Sequence, residues 1–90
     1  MQKENAHNIH KRLAKIIGQL NAIDKMIDEN TDCPDILIQI NAAKSALHKV
    51  GQIVLENHVK CCVKDAIDHG DAKLALEDLA KAIEHFSRMS

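Results

Sequence analysis

The strongest constraint on the fold is the regular spacing of apolar residues, which continues along most of the chain. The first run extends from Ile9 to Ile27 in alternating steps of four and three residues. This is the spacing of one face of an α-helix. The polar residues 28–32 end the run, and Asn5 or Asn8 is a candidate N-cap at its start. The pattern therefore predicts a first helix with one buried stripe.

The second apolar run is much longer. It follows Pro34, continues from Ile36 to Cys61 and meets a stop signal only at Gly70. Proline is favoured at the start of a helix and glycine just after its end, whereas the internal Gly51 costs a helix about 1 kcal/mol. We predict a central helix of about 35 residues, roughly 50 Å long. Its candidate N-caps are Thr31, Asp32 and Cys33.

A third, shorter run predicts a helix from about Asp71 to His85. One Pro and three Gly in 90 residues are too few for the turns of an all-β domain. We therefore predict an all-α fold: a three-helix protomer with a long central helix, forming a single domain over residues 1–90. Two short helices cannot cover the long one, so the minimum unit is predicted to be an antiparallel four-helix-bundle dimer.

Charge and hydropathy exclude several function classes. The net charge is −1 with 28% charged residues, which argues against nucleic-acid binding through bulk charge. No apolar run reaches the 18 or so residues of a membrane span, and the start lacks a hydrophobic signal region. We expect a cytoplasmic protein with reduced cysteines and no membrane partner. No catalytic triad-like set or phosphate-binding loop is present, so neither an enzyme nor a small-molecule substrate is predicted.

Three positions carry soft metal-binding chemistry. His58 and Cys62 are four residues apart, so on a helix they lie one turn apart on the same face. Cys61 lies about 100° away from Cys62 and continues the apolar rhythm, so we predict that it packs in the core. Cys33 precedes His58 by 25 residues, about 37 Å of helix. An antiparallel dimer brings Cys33 of one protomer to His58 and Cys62 of the other.

Two thiolates and one imidazole form a soft donor set. Thiolates select Cu(I), zinc or iron–sulfur centres, and three ligands without a fourth favour Cu(I) over tetrahedral zinc. The spacing alone leaves the alternative of a structural His–Cys pair open, and such pairs are the commoner case.

The sequence resembles the CsoR/RcnR/FrmR family of transcriptional repressors over nearly its whole length. Each matching segment is weak by itself, but together, in order and at the right spacing, they are specific. The copper-sensing branch has a Cys, then a His, then a Cys four residues later, as Cys33, His58 and Cys62 do. The segments are Arg12-Leu13, Gly18-Gln19, residues 32–37 and 39–40, residues 55–58 and 62–63, and residues 65–67 and 70–71.

The resemblance implies a Cu(I)-responsive repressor that binds operator DNA when metal-free and is released on Cu(I) binding. It also implies outer partners of the metal-bound His at the positions of Asp32 and Asp78, where relatives often carry Tyr and Glu. The alternative is a persulfide- or thiol-sensing repressor in which Cys33 and Cys62 form an intersubunit redox pair. A helical interaction module without an effector is a third possibility.

The resemblance further implies a dimer-of-dimers tetramer that contacts DNA through its first two helices, without a helix-turn-helix. Without the family, the same polar residues would be interpreted as a solvated helix face. Phosphate contacts make such binding steeply dependent on salt. The positions implied in DNA binding are Lys11, Arg12, Lys15, Gln19 and Lys49.

Overall fold

The computed structural model describes residues 1–70 and 72–89, and these residues form helices joined by short connections. Helix α1 spans Lys3–Asp28, α2 spans Cys33–His69 and α3 spans Ala72–Ser87. No strand occurs in the described part of the chain. The predicted all-α fold with a long central helix is thus confirmed, and α2 is 37 residues long.

The connection between α1 and α2 is built from local hydrogen bonds. Asn30 has a left-handed backbone with φ 55°. The Thr31 amide donates to the Met26 carbonyl at 3.0 Å and the Asn30 amide donates to Ile27 at 3.3 Å. This is the Schellman pattern, in which Asn is tolerated in the left-handed position. The polar cluster therefore ends α1 as predicted.

Helix α2 begins at Cys33, because the Asp32 carbonyl accepts hydrogen bonds from the amides of Asp35 and Ile36 at 3.0 and 3.2 Å. That geometry makes Asp32 the N-cap among the three candidates. Pro34 is the second residue of the helix. The amides in the first turn of a helix have no acceptor within the helix, so the missing amide of Pro34 costs no hydrogen bond.

The predicted caps of α1 are wrong. Helix α1 begins at Lys3 after Gln2, so Asn5 and Asn8 lie inside it. Asn8 instead accepts a hydrogen bond from the Arg12 side chain at 3.3 Å. The apolar stripe begins only at Ile9, which is why the spacing of apolar residues located the start of this helix too late.

Two compact units divide the chain, with Gln2–Val50 in one and Gly51–Ser90, together with Met1, in the other. In Gln2–Val50, α1 packs on the first half of α2, and every seventh residue of the α1 stripe is buried. The buried residues of this unit are Ile9, Ile16, Ile23, Ala43 and Val50.

In Gly51–Ser90, the second half of α2 packs on α3. The two helices are joined at Gly70, whose φ of 70° is the left-handed value expected of a glycine that ends a helix. Its amide donates to the Ala66 carbonyl at 3.0 Å. Cys62 is the buried residue that faces α3. The predicted start of α3 at Asp71 lies outside the described residues, and the helix continues two residues past the predicted end at His85.

Many large apolar side chains of α2 remain exposed in the chain. Its apolar residues are also spread around the helix instead of forming one stripe. A helix of this kind is normally covered on several sides. No helix in the described residues is long and apolar enough to cross a membrane. The exposed apolar side chains of α2 are those of Leu37, Ile38, Ile40, Leu47, Val54, Val63 and Ile67.

Candidate metal centre

His58 and Cys62 form a direct contact on α2. The Nε2 atom of His58 lies 3.4 Å from the Sγ atom of Cys62. His58 is half-buried, whereas Cys62 is 9% exposed. The predicted one-turn pair therefore exists, with an imidazole and a thiol held side by side at the edge of the α2–α3 contact.

The surroundings of Cys62 raise the pKa of its thiol. Burial raises its pKa above the ordinary value, and the negative charges of Asp78 and Asp65 and the neighbouring Cys61 raise it further. Burial and like charges both disfavour a thiolate. A bound cation opposes these effects, because it stabilises the deprotonated sulfur that metal binding requires.

Asp78 was implied by the resemblance as an outer partner of His58. Its charge acts on the neighbouring thiol of Cys62, so the carboxylate belongs to the electrostatic surroundings of the His58–Cys62 pair. Asp65 has the same effect and was missed. Asp65 follows Cys62 by three residues on one helix, so the helical spacing that linked His58 to Cys62 also indicates it.

Cys61 is exposed, so the prediction that it packs in the core of the chain is wrong. Cys61 follows Val54 by seven residues on the same face of α2, and Val54 is exposed as well. The apolar rhythm at this end of α2 therefore continues along a face that the chain itself does not cover. Cys62, about 100° away around the helix, takes the buried position against α3.

Cys33 is the first residue of α2, is exposed and belongs to the other unit. Asp32 is exposed beside it and caps α2 through its carbonyl. Among residues 1–70 and 72–89, no group of three or more His, Cys, Asp or Glu side chains is close enough to hold a metal ion. The chain thus pairs the imidazole of His58 with the thiol of Cys62, and the thiol of Cys33 belongs to the other unit.

The residues implied in DNA binding all lie in the unit Gln2–Val50. Lys11 and Lys15 are exposed and one turn apart on α1, and Lys49 is exposed on α2. Arg12 and Gln19 are half-buried. The Gln19 side-chain oxygen is buried and has no hydrogen-bond partner within the described residues. Their role in DNA binding stays a prediction.

An all-α chain that carries a His–Cys pair on a long central helix is typical of the class of small helical metal sensors. The chain belongs to the family of metal-sensitive transcriptional repressors, whose model matches residues 5–87. The members of this family are transcriptional repressors and not enzymes, and this excludes the catalytic function classes.

Known relatives match the chain over nearly its whole length. The copper-sensing transcriptional repressor CsoR of Bacillus subtilis is 34% identical over 98% of this chain and 99% of that protein. The crystal structure of the copper-sensing repressor CsoR with Cu(I) from Geobacillus thermodenitrificans is 41% identical, with a TM-score of 0.85 over 97% of this chain and 91% of that one. The nickel-responsive transcriptional regulator InrS is 31% identical, with a TM-score of 0.85 over 89% and 90% of the two chains.

Proposed function

We propose that the chain is a Cu(I)-responsive transcriptional repressor that binds operator DNA in the cytoplasm and releases it when Cu(I) binds. The observation that carries the proposal is the contact between His58 and Cys62 at 3.4 Å in a chain of the metal-sensitive repressor family. Copper-sensing repressors among its relatives add support.

The proposed ligands are His58 and Cys62 of one protomer and Cys33 of its partner. Helix α2 runs without a break from Cys33 to His69. Twenty-five residues of such a helix extend about 37 Å, which is too far for one ion to bind Cys33 and His58 of the same chain. In an antiparallel dimer the start of one α2 lies beside the end of the other, and two equivalent sites follow from the symmetry.

The donor set fits Cu(I) better than Ni(II). Sulfur donors are soft and select Cu(I), and two thiolates with one imidazole satisfy a low-coordinate ion. Nickel(II) prefers a fourth ligand in a square-planar arrangement, and no such ligand is among the three proposed. When bound, the ion supplies a positive charge that holds Cys33 and Cys62 as thiolates beside His58. The carboxylate of Asp78, and Asp32 next to Cys33, are proposed as the outer groups that orient this set.

The proposed assembly is a homodimer that pairs into a homotetramer. The exposed apolar residues of α2 support it, because a helix with apolar residues around its circumference is normally covered on several sides. Each protomer then covers apolar residues that α1 and α3 leave uncovered, and the dimer completes the metal centre.

DNA contacts are proposed for Lys11, Arg12, Lys15, Gln19 and Lys49. Lysine and arginine side chains bind phosphates and release counterions, so the affinity for operator DNA falls steeply with salt. Cu(I) and DNA are coupled through the same protomers. DNA must therefore weaken Cu(I) binding by the factor by which Cu(I) weakens DNA binding.

The raised pKa of Cys62 makes this thiol a poor initiating nucleophile for a thiol sensor. A persulfide- or thiol-sensing repressor needs a thiolate that attacks its target, and a thiol whose pKa is raised by burial and nearby carboxylates attacks slowly. Tight binding of a cation can deprotonate such a thiol, whereas a sulfur electrophile supplies no comparable charge.

The test is an anaerobic Cu(I) titration in which operator binding is followed by fluorescence anisotropy at fixed salt. One Cu(I) per protomer is expected to release the DNA, and Ni(II) is expected to leave it bound. His58→Ala is expected to abolish the Cu(I) response while any persulfide response survives. His69→Ala is the matched control, because His69 is an exposed histidine at the end of the same helix. DNA affinity unchanged by one equivalent of Cu(I) would refute the proposal.

A further inference from the structure

A second set of soft donors lines a cavity between α2 and α3. The cavity has a volume of about 370 Å³ and lies within Gly51–Ser90. His58, His85 and Met89 contribute to its wall, which is otherwise mainly apolar through residues such as Leu55 and Phe86. The imidazole and thioether groups in this wall are donors that can bind soft metal ions.

Gly51 fixes the position of the Met89 thioether. A Cβ atom added at Gly51 would lie 2.5 Å from the Met89 Cε atom and 3.1 Å from its Sδ atom, and 3.7 Å from the ring of Phe86. The thioether therefore packs directly on the backbone of α2, in space that any larger residue would fill. This explains a glycine in the middle of a long helix, where it costs about 1 kcal/mol.

The chain after α3 holds Met89 next to His85. The Met89 amide donates to the Phe86 carbonyl at 3.0 Å, and the Arg88 amide donates to His85 at 3.2 Å. These bonds continue α3 by one tight turn, which holds Met89 at the cavity that His85 also lines. The Arg88 side chain is bound to Glu84 at 2.6 Å, which compensates the nearest cationic charge.

The donors of this cavity divide into two groups. Met89 lies on Gly51, and His58 follows Gly51 by seven residues, about 10 Å along α2. His85 lines the same cavity as Met89 from α3, whereas His58 lies 3.4 Å from Cys62. Met89 is 40% exposed and His85 is exposed, so the pair is accessible from solvent.

We propose that His85 and Met89 form a second binding site for a soft monovalent metal ion, Cu(I) or its analogue Ag(I). The site goes beyond the proposed function, because it uses neither Cys33 nor Cys62. An imidazole and a thioether supply no negative charge to the ion. The site is therefore weaker than a thiolate centre and fills after it.

The test is NMR spectroscopy of the full chain with 13C-labelled methionine methyl groups, titrated anaerobically with Ag(I) up to two equivalents per protomer. A Cys61→Ser background removes the exposed thiol that is not among the proposed ligands. The Met89 methyl signal is expected to shift and saturate with the second equivalent. The Met26 signal is the internal control and is expected to stay in place, because Met26 lies in the other unit.

Two variants make the assignment specific. Met89→Leu keeps a similar volume and removes the sulfur, and His85→Gln removes the imidazole. Each is expected to weaken binding of the second equivalent by roughly tenfold or more, whereas Met26→Leu leaves it unchanged.

A Met89 signal that does not move, or moves in parallel with Met26, would overturn the proposal. So would an unchanged affinity in His85→Gln. Cys33→Ser separates this proposal from the proposed function: loss of the thiolate centre is expected to leave the Met89 response intact.

Discussion

The packing of Met89 on Gly51 predicts an unusual response to a helix-stabilising substitution. Replacing glycine by alanine inside a helix adds about 1 kcal/mol to the free energy of unfolding. Gly18→Ala in α1 is expected to give this full gain, because nothing lies within 4 Å of a Cβ atom added there. At Gly51 the same methyl group would occupy the place of the Met89 side chain, so the side chain must move.

The size of the opposing effect follows from the exposure of Met89. Complete burial of a methionine side chain stabilises a protein by about 1.5–3 kcal/mol, and Met89 is 40% exposed. Its covered part therefore contributes about 1–2 kcal/mol. A flexible side chain recovers part of this after moving. We expect Gly51→Ala to change the free energy of unfolding by about 0 kcal/mol, against a gain of about 1 kcal/mol for Gly18→Ala.

The assay is urea unfolding followed by circular dichroism at a fixed protomer concentration, in a double-mutant cycle with Met89→Ala. Without the Met89 side chain, Gly51→Ala is expected to recover the full gain of about 1 kcal/mol. The coupling energy between the two positions is then about 1 kcal/mol. Independent sites deviate from additivity by no more than roughly 0.5 kcal/mol. Equal gains for Gly51→Ala and Gly18→Ala in the parent chain would show that Met89 does not pack on Gly51.

Three further outcomes follow from the structure. Gly70→Ala is expected to destabilise the chain by about 1 kcal/mol in urea unfolding, because φ at this position is 70°; an unchanged midpoint would contradict it. Asp78→Asn removes a negative charge that raises the pKa of Cys62, so this pKa is expected to fall. The pH profile for iodoacetamide labelling of Cys62 should then shift to lower pH, whereas the control Asp68→Asn is expected to leave it unchanged. Cys61 is exposed and Cys62 is buried, so mass spectrometry should find Cys61 labelled before Cys62 at neutral pH. Labelling of Cys62 before Cys61 would show that the other face of α2 packs on α3.

The fold was largely predictable because its information is local. The spacing of Ile9, Ile16 and Ile23 specifies which face of α1 is buried, and Pro34 and Gly70 lie near the predicted ends of α2. Asn30 ends α1 by a backbone conformation that asparagine tolerates. The start of α1 was located too late because the first turn of that helix contains no large apolar residue.

The candidate site was predictable only to the extent that it lies on one helix. Spacing alone identified His58 and Cys62, since residues four apart on a helix are neighbours. The different environments of Cys61 and Cys62 depend on where α3 packs, which a rhythm of apolar residues in α2 cannot show. The contact of Gly51 with Met89 likewise joins residues 38 positions apart, and no local pattern in the sequence indicates it.

The proposed function makes assembly and metal sensing parts of one equilibrium. A ligand that binds an assembled state and not its separate parts stabilises that state by mass action. If Cys33 of one protomer and His58 and Cys62 of the other bind one ion, as proposed, Cu(I) binding stabilises the dimer across the apolar residues that each chain leaves exposed. Because the pKa of Cys62 is raised, Cu(I) binding there competes with a proton, and the affinity for the metal is expected to fall at low pH. In the proposed dimer, the helix that its own chain cannot cover is what brings the third ligand to His58 and Cys62.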